Sequence, residues 1–268
     1  MLALMWTCVY GEDNYFEILR TSLESLNVYG KYKKNLCIFS DRSAEETLHK
    51  YVPQDMWWRT TILPFPDTPS LLSRYNCADL LPKHYDVYLY VDTDIIYDED
   101  IKPVLWSIAY SKQLCFSSEA AIYPQMQKTI GEMRKEQPYN GDWFGLNIMP
   151  KDVRFDGSRL PLINSGIIGS SDIVRLVDAC NLITMKIKTV EPEYIKEYSD
   201  QPVVNYVMTG YGYDTNITRY VHFTSSCPPE NYIRGGMGLR GMMHFLWSGK
   251  HKLRDMEAYS AIIAKVKA

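Results

Sequence analysis

Residues 88–97 read YLYVDTDIIY, where the strand-forming run of Val87, Leu89 and Val91 gives way to Asp92, Thr93 and Asp94. Side chains of a strand alternate between faces, so Asp92 and Asp94 point the same way with one residue between them. Two ligands of a single metal need that arrangement. Carboxylates held this close repel one another in a partly dry site, and a divalent cation relieves the repulsion while leaving positive charge for an anionic ligand such as a diphosphate. For so short a motif the plainer alternative is a surface or capping pair.

Upstream of this stretch strands and helices alternate. Residues 2–10 read as a buried strand, and the next helix opens at Asn14 with Glu17 three residues on. It carries Phe16, Leu19, Leu23 and Leu26 on its apolar face and closes at Gly30. A strand over 36–39, a helix with a Ser43/Glu46 capping box, and a strand over 60–63 before Pro64 and Pro66 follow. A helical stretch from Ser70 to near Pro82 leads into the strand that ends at Asp92. The alternation predicts an α/β fold with a Rossmann-like, mostly parallel central sheet and helices on both faces, which binds ligands beyond the carboxyl ends of its strands. Asp92 and Asp94 lie at such an end.

Downstream, a helix over 104–110 and a strand over 114–116 are expected, after which residues 120–160 lose their periodicity among Pro124, Pro138, Gly141, Pro150 and Gly157. A long irregular segment inside a compact domain is usually functional, so it reads as a lid or an acceptor wall. Order resumes with the strand LPLIN, a turn at Gly166, and a helix capped by Ser171 with Ile173, Val174, Leu176, Val177 and Cys180 on one side. A further helix starts within 199–202. Glycines 235, 236, 238 and 241, the strand MMHFLW and an amphipathic tail with Met256, Tyr259, Ile263 and Val266 complete the chain. The organisation expected is one domain over 1–252, with 120–160 as an insertion, and a C-terminal helix over 253–268 that packs on the core.

Composition narrows the function. At 268 residues, 46% hydrophobic, the chain can fill one large core, and its net charge of −3 provides no basic field for nucleic acid. The six cysteines (Cys8, Cys37, Cys77, Cys115, Cys180, Cys227) are scattered without CxxC spacing, which suits a reducing compartment and no zinc site. The apolar start MLALMWTCVY has no basic flank and stops at Gly11 and Glu12, so it reads as a strand, neither a leader nor a transmembrane segment. A cytoplasmic location is the expectation, and Asn216-Ile217-Thr218 is then a chance match to a glycosylation pattern.

Three further motifs follow Asp92-Thr93-Asp94. Asn164-Ser165-Gly166 joins an amide able to bond hydroxyls to a residue that allows close backbone approach. Asp200-Gln201, with Asn205 beyond, stands at a helix start, where polar groups meet the positive end of the helix. His244-Phe245 is followed by Lys250. Each has an ordinary reading taken alone: a turn, a cap, a satisfied core histidine.

In this order the motifs resemble those of the retaining glycosyltransferases of family 8, which include glycogenin and bacterial galactosyltransferases and have the glycosyltransferase A fold. The likeness spans about residues 2–252. It implies a hexosyltransferase in which Asp92, Asp94 and His244 hold Mn2+, or Mg2+, against the diphosphate of a UDP-sugar, while Asp200, Gln201 and Asn164 serve at the anomeric carbon. Donor contacts are implied for Thr7, Val9, Tyr10 and Tyr15 around the uridine, for Arg74, Thr93, Ser165 and Gly166, and for Gly249 and Lys250. The last pair belongs to a signature, HFxGxxKPW, from which the chain departs: Trp247 replaces the glycine, Gly249 comes two residues later, and His251-Lys252 replaces Pro-Trp. Tyr139, Asn140, Asp142 and Trp143, beside Phe144, combine rings with polar groups and are candidate contacts for a glycan or other hydroxyl acceptor.

Two rivals remain at this level. A phosphatase of the haloacid dehalogenase type also puts an aspartate pair after an apolar strand, but usually with Thr or Val where Ile96 stands, and on its first strand. A catalytically silent carbohydrate-binding module is the other.

Overall fold

The computed structural model describes residues 1–138, 140–151, 153–224, 239–246 and 251–268. In it the first strand, β1 (Ala3–Val9), lies between β2 (Asn35–Ser40) and β4 (Val87–Val91) and runs parallel to both, with β3 (Thr60–Pro64) parallel outside β2. Beyond β4 come β7 (Ile163–Ser170), antiparallel to its neighbours, then β6 (Leu114–Ser118) and β8 (Tyr213–Asp214), so the sheet order is β3-β2-β1-β4-β7-β6-β8. The mostly parallel sheet expected from the alternation is present.

The apolar runs are continuous because both faces are covered. Met5, Ile38, Leu89 and Ile167 pack beneath α1 (Asp13–Val28), α2 (Ala44–Tyr51) and α4 (Lys102–Tyr110). Trp6, Phe39, Tyr90 and Ile168 face α3 (Ser73–Asn76), α7 (Ile173–Ile187) and α9 (Gln201–Tyr211).

A small second sheet decides where the site forms. β5 (Ile95–Tyr97) starts directly after Asp94, and β10 (Met242–Phe245) pairs antiparallel to it with His244 opposite Ile95, while β9 (Val221–Thr224) flanks β10 in parallel. A residue from late in the chain is thereby set beside the carboxylate pair.

The irregular segment is a packed unit. It contains α5 (Ile130–Glu136), opened by a reciprocal Thr129/Glu132 capping box, and α6 (Val153–Asp156), around a core of Met126, Ile130, Met133, Phe144, Leu146 and Met149. After α7, the short α8 (Pro192–Tyr198) leads to α9. The C-terminal helix, Lys252–Lys267, buries Met256, Tyr259 and Ile263 against Ile18, Ile96, Met243 and Phe245, while Val266, expected on the same apolar face, is exposed to solvent. Buried Asp98 anchors it by accepting from the Tyr259 hydroxyl (2.8 Å) and the main-chain N–H groups of Gly241 (2.6 Å) and Arg240 (3.1 Å).

Several local expectations fail for physical reasons. Asn14 lies inside α1, whose cap position is Glu12, with no side-chain cap bond. The stretch from Ser70 breaks into α3 and a 3₁₀ turn over Cys77–Leu80. Asp172, not Ser171, caps α7 by accepting from the N–H groups of Val174 and Arg175, and the stripe it orients is Leu176, Cys180, Ile183 and Ile187, leaving Val174 exposed. Most consequential, β7 runs through Asn164-Ser165-Gly166 instead of turning at Gly166. The β6–β7 register shifts between Phe116 and Ser117, and Asn164 Oδ1 accepts from Gly166 N (2.9 Å), so the side chain satisfies the donor that the shifted ladder leaves over.

Cys8, Cys37, Cys77, Cys115 and Cys180 are free thiols; Cys227 lies outside the described residues. Among the described residues no helix is long and apolar enough to cross a membrane.

Candidate active site

A cavity of about 680 Å³ opens beyond the carboxyl ends of β1 and β4, lined by Val9, Tyr10, Tyr15, Arg74, Asp92, Thr93 and Asp94. A smaller one, about 200 Å³, shares Arg74, Asp92, Asp94 and Lys252 with it and adds Glu119, Trp143, Asn164, Ser165, Gly166, Asp200, Gln201 and His244. The carboxylate pair therefore stands where the cavities meet.

One ligand atom from each of Asp92, Asp94 and His244 lies within 4.8 Å of the others. His244 Nε2 is 3.1 Å from Asp94 Oδ1 and 3.9 Å from Asp92 Oδ2. Asp94 Oδ1 is buried and has no hydrogen-bond partner, a costly condition that a cation bound to it would relieve. Two hard oxygens and an imidazole suit manganese or magnesium, so the residues fit a divalent ion. Gly166 makes the cluster possible, because a Cβ there would fall 2.7 Å from Asp92 Oδ2 and 3.0 Å from His244 Nε2.

Charge balance is supplied from two sides. Lys252, first residue of the C-terminal helix, forms an ion pair with Asp94 Oδ2. Burial alone would push the Asp94 carboxyl up, but Lys252 and His244 outweigh it and hold it well below the usual carboxylate range. Arg74 lies between the acids: its Nη1 is 3.2 Å from Asp92 Oδ1 and donates to Ser165 O (3.3 Å), and its Nε is 3.7 Å from Asp200 Oδ2. Burial disfavours the guanidinium charge, yet Asp200 and Asp92 more than compensate. The Tyr90 hydroxyl donates to Asp92 Oδ1 (2.5 Å) and Asp92 N to Gly166 O (2.8 Å), which locks the end of β4 onto β7.

The smaller cavity has its own network. Asp200 accepts from the Tyr75 hydroxyl, Ser199 Oγ (3.0 Å) and Ser165 Oγ (3.3 Å). Asn164 Nδ2 (2.8 Å) and Gln201 Nε2 (3.2 Å) both donate to Glu119 Oε1; burial still leaves the Glu119 carboxyl raised above its ordinary value. Asn205 fixes α9 to β7: its amide accepts from Ile163 N (2.9 Å) and donates to Ile163 O (3.0 Å).

Most of the residues singled out in the sequence converge here. Thr7 is an exception; buried within β1, it lines neither cavity. Of the acceptor candidates Trp143 lines the smaller cavity, whereas Asn140 and Asp142 line neither, and the Asp142 carbonyl is engaged by the Tyr194 hydroxyl (2.8 Å). Phe144 belongs to the core of the insertion. Tyr139, Gly249 and Lys250 lie outside the described residues. Sequence reasoning missed Glu119, Lys252 and Tyr75. A charged residue after the apolar run of β6 was the available signal for Glu119, and the departure at His251-Lys252 was the signal for Lys252. Tyr75 carried none.

No protein-family model and no curated protein sequence matches the chain. Solved structures do match. The galactosyltransferase LgtC, in complex with donor and acceptor sugar analogs, aligns with a TM-score of 0.60 at 13% identity over 98% of this chain and 95% of its own. Mouse xyloside xylosyltransferase 1 gives 0.52 at 14% identity over 91% of this chain and 98% of its own. The bifunctional glycosyltransferase WbbM gives 0.60 at 12% identity, over 98% of this chain but 51% of its own. At these identities the likeness is one of fold, and the chain has the glycosyltransferase A fold that the resemblance implied.

Proposed function

We propose that the protein is a retaining, metal-dependent glycosyltransferase that moves a hexose from a UDP-sugar to a hydroxyl of a glycan or other acceptor. The observation that carries this reading is the position of Asp92, Asp94 and His244 at the junction of a large cavity and a small polar one. The large cavity, at about 680 Å³, falls in the range of small-molecule sites and offers the exposed ring of Tyr15 and that of Tyr10 for stacking on uracil. The small one collects the hydroxyl-binding groups Glu119, Asn164, Asp200 and Gln201 around the place for the sugar.

Breaking the anomeric bond puts negative charge on the diphosphate and makes the sugar oxocarbenium-like. A divalent cation on the triad would supply Lewis acidity to the departing phosphate oxygens. Lys252 places a second positive charge at the same spot, and the Arg74 guanidinium lies against Asp92. Asp200 presents its carboxyl group at the same place. Arg74, Tyr75, Ser165 and Ser199 already engage its oxygens, which suits it to stabilising the developing cation better than to attacking it. That favours attack by the acceptor from the face the diphosphate leaves, with Trp143 shaping the acceptor's approach.

Incubating the protein with a panel of UDP-hexoses and Mn2+, without acceptor, is expected to release UDP slowly from one of them. Chelator should stop the release and added manganese restore it. Phosphate release from phosphomonoesters without any UDP release would replace the reading with a phosphatase; no turnover of any nucleotide sugar, with or without sugar acceptors, would reduce it to a binding module.

Lys252→Met gives a second expected result. With the competing ammonium removed from Asp94, the metal should bind more tightly in a titration, while turnover falls by roughly 10²-fold because charge stabilisation of the leaving group is weakened. Turnover equal to wild type would remove Lys252 from the chemistry.

A further inference from the structure

A groove of about 430 Å³ lies between α4 and the β8 edge, and none of its lining residues lines either active-site cavity. β8 pairs with Leu114 and Cys115 at the start of β6, whereas Glu119 follows the end of that strand, so the groove and the reacting centre sit at opposite ends of β6. Its wall on α4 is aromatic. Trp106 and Tyr110, one helical turn apart, are 39% and 79% exposed although Val104, Leu105 and Ile108 on the other side of the helix are buried. Their rings are stacked at 5.5 Å and 20°, an offset arrangement that leaves part of each face open.

The opposite wall is polar and already held in place. Asp214 accepts from Asn216 N (2.9 Å) and Ser111 Oγ (3.2 Å), and Asn216 Nδ2 donates to Ser107 O (2.9 Å). The Arg219 guanidinium reaches Ser107 Oγ (3.4 Å) and lies 4.9 Å from the centre of the Tyr220 ring. Ordering these groups in advance lowers the entropy that a ligand must overcome. Each keeps bonding capacity, since a carboxylate can accept more than two hydrogen bonds and a guanidinium can donate several.

We propose that this groove is a second carbohydrate-binding site, one that holds a neutral oligosaccharide away from the reacting centre. Its two charged lining residues, Asp214 and Arg219, cancel, which selects against a phosphate, a cation or an anionic lipid surface. Hydroxyls both donate and accept, so they match a carboxylate beside a guanidinium, while the C–H face of a sugar ring matches an exposed aromatic face. The apolar part is two rings wide, far short of the roughly 800 Å² per partner of a standard protein interface. The inference goes beyond the transferase reading and does not depend on it.

Saturation-transfer NMR with neutral hexasaccharides of the α-glucan, β-glucan and galactan series tests it on the full chain. Wild type is expected to bind at least one series. Trp106→Ala with Tyr110→Ala should weaken that binding at least tenfold, with acceptor-free UDP-sugar hydrolysis and thermal midpoint unchanged. Because both side chains are exposed, the fold should tolerate the pair, and Arg219→Ala gives an independent loss from the polar wall. No binding by wild type, or wild-type affinity in the double variant, overturns the proposal. Sedimentation with phosphatidylglycerol vesicles that depends on Trp106 would put a membrane surface in the sugar's place.

Discussion

Asp94→Asn is expected to lower UDP-sugar turnover on the order of 10³-fold, at the upper end of what removing one preorganised charge-stabilising group costs. Asparagine preserves the volume, so the fold should survive and the loss should be chemical. The effect is large because Asp94 has three tasks at once: it faces His244 at 3.1 Å, it holds Lys252, and it offers a buried oxygen with no other partner. Neutralising it weakens any cation's hold and releases the lysine. Calorimetric titration with Mn2+ should show affinity falling together with turnover. Full activity in the variant, or in excess chelator, would sink the metal reading.

Arg74→Ala should have the largest effect on stability. Arg74 is the cation shared by Asp92 and Asp200, and truncating it leaves two carboxylates in a largely dry place without their partner. Removing one member of a buried ion pair costs about 3–5 kcal/mol. For a chain of this size that corresponds to a fall of roughly 10 °C in Tm. Arg74→Lys should recover only part of it, because one ammonium cannot reach Asp92, Asp200 and the Ser165 carbonyl together as a planar fork does. Saturating Mn2+ should restore some of the lost Tm by taking over the charge on Asp92. A variant as stable as wild type would mean the acids are solvated and the network carries little.

The site and the fold were legible in the sequence to different depths. The sheet could be read because alternating apolar runs and capped helices are local patterns, and Asp92 and Asp94 because two carboxylates where an apolar run gives out are visible locally, although they lie in the turn between β4 and β5 and not on the strand itself. Failures came where a neighbour overrides a local preference. Gly166 looked like a turn, yet β6 and Asn164 accommodate it inside a strand. Residues 120–160 looked irregular, yet Met126, Ile130, Met133 and Phe144 give them a core without regular periodicity. The resemblance implied a donor contact for Thr7, whereas the residue is buried within β1 and lines neither cavity.

By itself, then, the sequence determined an α/β chain, which follows from periods of two and 3.6 residues that any local window contains, and a carboxylate pair where the apolar run of a central strand gives out. Only the tertiary structure decided what surrounds that pair. β10 lies against β5 in one register and so brings His244 to Asp94, the C-terminal helix begins where Lys252 can reach the same carboxylate, and α3 sets Arg74 between Asp92 and Asp200. Those partners come from segments up to 158 residues apart. No local pattern encodes such a meeting; it is specified by the burial of Ile96, Met243, Phe245 and Tyr259 in one shared cluster.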